Sequence, residues 1–142
     1  MTIIESVRQY LEGCPLLEGG RLNVDFLPPE AANYSVDVVP ATPIIKQYLD
    51  GSSMRQFLFV FATRAYYGEH IRQQLDNLAL FEAFAEWIEN QNSKKIFPDL
   101  GPGRQPRKLE VTTSGYVFAV DTENARYQIQ LKLTYFQDRR NK

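Results

Sequence analysis

The side chains that could carry chemistry in this 142-residue chain are few and scattered. His70 is the only histidine and Cys14 the only cysteine, so a Ser-His-Asp or Cys-His arrangement would have to use one or both. His70 stands beside Glu69 at the opening of a helical pattern, where a solvated helix residue is its simplest reading. One histidine and one cysteine also leave no zinc-ligand spacing. Asp25, Asp37, Asp50, Asp76, Asp99 and Asp121 are isolated in sequence and read as turn or solvent-facing residues. Gly101-Pro102-Gly103-Arg104 resembles a phosphate loop only superficially: it lacks the Gly-Lys-Ser/Thr ending and opens no helix. Arg104, Arg107 and Lys108 form a small basic patch offset by Asp99 and Glu110, short of what a nucleic-acid groove needs. Asn33-Tyr34-Ser35 is a formal glycosylation sequon, without meaning unless the chain is secreted. The expectation is no catalytic, cofactor-binding or metal-ligating residue, and no cofactor.

What remains is surface for contact. Arg55 and Arg64 give polar ends to the most apolar stretch of the chain. Tyr66 and Tyr67, at a strand-to-helix junction, are of a type enriched at protein contacts, although a packed corner explains them equally well. These four are the interface candidates.

The elements that must position them follow from periodicity. From Met54 to about Arg64, Phe57, Phe59 and Phe61 alternate with Leu58, Val60 and Ala62, which predicts a long strand apolar on both faces. Helices of this chain should cover one face; more of this chain or another molecule should cover the other. The phenylalanine face is expected under the long helix. Asp50-Gly51-Ser52-Ser53 joins this strand to a preceding one, Ile44 to Leu49. Earlier still, Leu22, Val24 and Phe26 alternate inward over Arg21 to Phe26, and Tyr34, Val36 and Val38 resume the alternation after Pro28-Pro29.

Two helices complete the front of the molecule. Thr2 and Glu5 have capping-box spacing ahead of a short helix, Ile3 to Glu12, with Ile4, Val7 and Leu11 on one side. The long helix opens at Gly68 and Glu69 and runs to about Gln91. Ile71, Leu75, Leu78, Phe81, Ala85 and Ile88 form its stripe, widened by Leu80, Phe84 and Trp87. After a loop at Pro98, Gly101-Pro102-Gly103 and Pro106 come strands Arg107 to Thr112, Tyr116 to Val120 and Arg126 to Tyr135. The charged tail, 138–142, is expected to fray.

Strand groups flanking a long helix predict an α+β fold, a mainly antiparallel sheet packed against one long helix and a short N-terminal one, in a single domain over 1–142. Sixteen Lys and Arg against seventeen Asp and Glu leave no field to draw nucleic acid or an anionic membrane. The longest apolar run is far below the roughly 20 residues of a membrane span. The N-terminus lacks a secretion signal, and a lone cysteine suits a reducing cytoplasm.

The segments YLDGSSMRQFLFVFATRAYYG, DNLALFEAFAEWIENQ, FPDLGPG and LEVTTSGYVFAVDTENARYQIQLKLTYFQ resemble a phage family. It comprises the small minor capsid, tail completion and tail terminator proteins of long-tailed phages and prophages of Gram-positive bacteria. The resemblance covers about Ile3 to Gln137. It implies a structural virion protein with no enzymatic residue, which assembles as a homo-oligomeric ring, six copies being the expected number. Such a ring sits at the head-proximal end of the tail tube, stops tube growth and meets the head connector. Its partners are then itself, the tail tube protein and the head connector protein, without need of nucleic acid or membrane. Its place is the virion tail, and the host bacterial cytoplasm before assembly. Alternatives are a head-tail connector or other tail-module protein and, from another class, a small α+β ligand-binding protein or enzyme.

Overall fold

The computed structural model describes residues 2–17, 21–25, 27, 33–66, 71–120 and 124–139. The fold is α+β: two helices and a seven-stranded, mostly antiparallel sheet. Helix α1, Ile3–Glu12, is capped by the Thr2 hydroxyl, which accepts from the Glu5 N–H at 3.2 Å. A single 3-10 turn, Pro15–Leu17, follows it. Strands β1 (Arg21–Val24), β2 (Asn33–Val39), β3 (Ile44–Gln47) and β4 (Ser53–Tyr66) precede helix α2, Ile71–Ser93. Strands β5 (Arg104–Val111), β6 (Tyr116–Val120) and β7 (Asn124–Gln137) close the chain.

The two 14-residue strands, β4 and β7, lie side by side at the centre, paired from Ser53↔Gln137 to Tyr66↔Asn124 without a register shift. Each carries two shorter strands end to end on its outer edge. Strand β2 pairs with Leu58 to Arg64 of β4, and β3 with Ser53 to Arg55. Strand β5 takes the Leu131 to Gln137 part of β7, and β6 the Ala125 to Gln128 part. Strand β1 adds to β2 in parallel, a pairing that alternation along each strand does not disclose.

The front of the sheet is the core. Phe59, Phe61, Ile129, Leu131, Leu133, Leu109 and Val36 are buried beneath α1 and α2, with Val7, Leu11, Phe81, Phe84 and Ile88 from the helices. Phe61 stacks on Phe84 with ring centroids 4.4 Å apart, so the phenylalanine face of β4 does lie under the long helix. Burying each such ring contributes roughly 1.5 to 3 kcal/mol.

Four details depart from the alternation. Val24 is exposed where it was expected to point inward, because β1 stops there and Asp25 turns with a φ of 51°. Phe26 lies outside the described residues. Leu78, expected in the buried stripe of α2, is exposed beside a groove, and the side chains of Ile71 and Leu75 lie outside the described residues. Pro106, read as loop, sits in edge strand β5 at a register shift, where a missing N–H is tolerated. The segment 138–139 is held in place: the Asp138 N–H donates to Gly103 O at 2.7 Å, and Arg139 Nη1 to Asp50 O at 3.0 Å. Residues 140–142 lie outside the described ones.

Candidate functional site

Of the four interface candidates, the two with described side chains, Arg55 and Arg64, lie apart. Arg55 and Arg64 differ by an odd number of positions on one strand, so they stand on opposite faces of β4, about 30 Å apart at roughly 3.3 Å per residue. Arg55 Nε donates to Ser53 Oγ at 2.9 Å. Arg64 is in register with Arg126 of β7. Tyr66 pairs with Asn124 through its backbone, and its side chain, Tyr67 and His70 lie outside the described residues.

The second face of β4 needs no further layer where it is most deeply buried. Val60 and Ala62 are buried there, yet what covers them is a belt of polar side chains from neighbouring strands. Ser35 Oγ donates to Asp37 Oδ1 on β2, and Arg126 Nη2 reaches from β7 across the small side chain of Ala62 to Asp37 Oδ2 at 2.6 Å. Arg126 Nε donates to Gln128 Oε1 at 3.1 Å, and Gln128 Nε2 donates to the Tyr116 hydroxyl of β6 at 2.6 Å. Gln130 Nε2 approaches the same hydroxyl at 3.3 Å. Phe118 lies under the Arg126 guanidinium, 5.5 Å from its carbon. The ion pair is only 18% and 20% exposed, so its hydrogen bonds to Gln128 and Ser35 offset the loss of water. On the neighbouring stretch of this face, Glu110 lies 3.3 Å from Lys108 and 3.4 Å from Lys132. Burial alone would raise the Glu110 pKa, but the two ammonium groups outweigh it and hold the carboxyl below its ordinary value.

Two other features present apolar surface. The first is the β3–β4 hairpin, an arm in which every residue from Pro40 to Gly51 is exposed. Gly51, at φ 93°, donates its N–H to Tyr48 O at 3.0 Å, and the Tyr48 N–H donates to Ser52 O at 2.9 Å. The Asp50 carboxylate accepts from both the Ser52 hydroxyl and the Ser52 N–H, and these bonds hold its pKa below the ordinary value. Ile44, Ile45, Tyr48 and Leu49 all project from this arm. Tyr48 tilts against Phe136 at 6.2 Å, with Lys46 over the Tyr48 ring and Arg107 over Phe136.

The second is a groove of about 670 Å³ between α2 and the β5–β6 connection. Ile129 forms its floor; Leu78, Ala79, Glu82, Ala85 and Glu89 form one wall, and Val111, Thr113, Ser114 and Gly115 the other. The connection is fixed to β7 by Thr112 N–H to Gln130 O at 2.8 Å and Gln130 N–H to Thr113 Oγ1 at 3.1 Å. Gly115 lies against Phe81 so closely that a Cβ there would sit 2.5 Å from Phe81 Cβ.

Cys14 is buried, which pushes its thiol pKa up and away from the reactive thiolate. Among the described residues no three His, Cys, Asp or Glu side chains are grouped to hold a metal, and no helix is long and apolar enough to cross a membrane. No family model and no curated protein matches the chain in sequence. The arm and the groove leave only faint traces in the sequence. The signal for the arm was four apolar residues at Ile44, Ile45, Tyr48 and Leu49 without strict alternation; for the groove it was a lone glycine, Gly115, between two strands.

Proposed function

We propose that this chain is a structural subunit that acts by associating with copies of itself, as a tail terminator ring at the head-proximal end of a phage or prophage tail tube. The observation that carries the reading is the arm: a hairpin with four projecting apolar side chains is surface that association would remove from water. The resemblance of the chain to tail completion and terminator proteins supplies the setting. In that setting the ring stops growth of the tube and offers its other face to the head connector. The subunit resides in the host cytoplasm until it joins the virion tail.

Deleting the gene from an inducible prophage and imaging the lysate by electron microscopy tests this. Overlong or headless tails are the expected outcome. Empty heads with no tails made would point away from termination, and normal virions would sink the reading.

A further inference from the structure

The arm and the groove have matching chemistry. At the tip of the arm Leu49 is 109% exposed and Ile45 50%, with Lys46 alongside and Arg139 anchored on Asp50 O. Apolar groups are thus flanked by two cations, with the one carboxylate at the tip, Asp50, turned to Ser52. The groove has the opposite edge: its interior is made by Phe81, Ala85 and Ile129, while Glu82 and Glu89 stand exposed at its mouth. Its volume falls in the roughly 300–1,000 Å³ range of pockets that enclose a compact group.

The arm cannot fill the groove of its own chain. The unbroken β4·β7 ladder holds it at the end of the sheet where β7 finishes at Gln137. The groove floor, Ile129, is opposite Phe61, eight positions from Ser53 and roughly 26 Å away at about 3.3 Å per residue.

We infer that the tip of the arm, led by Leu49, seats in the α2 groove of a second copy of this chain, with Lys46 against Glu82 and Glu89. The inference rests on the self-association reading above and specifies its joint. Because arm and groove are different surfaces, the contact is head to tail, the kind that closes into rings or runs on into filaments. A hairpin tip alone covers less than the roughly 1,200–2,000 Å² of a stable interface, so one joint is weak and closure of the ring stabilises it through effective concentration.

Light scattering of the full-length protein over a concentration series tests this, with two variants at exposed positions. Leu49→Asp removes the tip and Ala79→Arg obstructs the groove; neither position is in the core. Each alone should weaken association about thirtyfold or more, the scale of an interface hot spot. An equimolar mixture should form a one-to-one dimer at the concentrated end of the series and nothing larger, since only one intact arm and one intact groove remain and no ring can close. Lys46→Glu should weaken association, and the added changes Glu82→Lys and Glu89→Lys should restore it. If Leu49→Asp or Ala79→Arg associates like the unaltered protein, or the mixture builds anything larger than a dimer or associates no more than either variant alone at the highest concentration, the arm-in-groove joint is wrong while self-association stands. If the unaltered protein remains monomeric at every concentration and in the presence of tail tubes, joint and reading fall together.

Discussion

The side-chain amide of Asn92 pairs with the backbone of Leu109 at two points. Leu109 N–H donates to Asn92 Oδ1 at 3.0 Å, and Asn92 Nδ2 donates to Leu109 O. The amide thus imitates one rung of a strand ladder on the outer edge of β5, at the last turn of α2. It fastens helix to sheet and occupies backbone groups that would otherwise be open to another strand. Asn92→Ala leaves both groups of Leu109 without that partner. The expected loss is about 1–3 kcal/mol in denaturant unfolding, with faster hydrogen exchange at the Leu109 amide. An unchanged exchange rate would show that the rung adds nothing.

Gly115 and Phe81 mark a close approach between α2 and the β5–β6 connection. Gly115→Ala places a methyl group against the root of the Phe81 side chain, where rotation of the ring gives no relief. Overpacking of this kind costs about 1–3 kcal/mol. Combining it with Phe81→Ala, which takes away Cγ and the ring, should cost less than the two single changes added together, because the residues touch. Additive values from urea unfolding would contradict the contact.

Arg126→Met removes the centre of the polar belt and strands Asp37 and Gln128 with lost partners. A loss of about 1–3 kcal/mol is expected. Changing Arg126 to Met and Asp37 to Leu together should recover part of it, since removing both members of an enclosed ion pair is milder than removing one. Thermal unfolding of the single and double variants measures this.

Glu110 gives a pH signature. Its folded-state pKa is depressed, so its contribution to stability is fully present above the unfolded value and is lost as pH falls through the lower folded value. The window therefore lies below the ordinary glutamate value of 4.5. Lys132→Met should move the Glu110 titration, followed by carboxyl carbon NMR, back upward and narrow that window. A titration that does not move would remove Lys132 as a cause.

Both helices and the sheet strands were legible in the chain as it reads, because each is a period of apolar side chains set by its own backbone geometry. The phenylalanine face was legible too, since three large rings on one side need the bulkiest partner, and α2 supplies Phe81 and Phe84. Strand order was not. Whether β2 and β3 share one edge of β4, or β1 runs parallel to β2, depends on contacts between distant residues that leave no period behind. The same limit hid the covering of Val60 and Ala62. Arg126, Gln128 and Gln130 read as the wet side of β7, and only the sheet shows all three reaching sideways to neighbouring strands. Arg55, Arg64, Tyr66 and Tyr67 stand out by residue type at the ends of an apolar run. The exposed arm lies just upstream, where the broken alternation of Ile44, Ile45, Tyr48 and Leu49 is its one trace in the sequence.

The pairing of β4 with β7 keeps its register over its whole length, while the outer ladders of β3, β5 and β6 each slip once. In an antiparallel ladder the hydrogen bonds lie across the strands, so tension applied at the hairpin and resisted at the far end of β7 loads all the rungs together in shear. The molecule has a built-in tie rod, suited to carrying mechanical strain from one end to the other without yielding rung by rung.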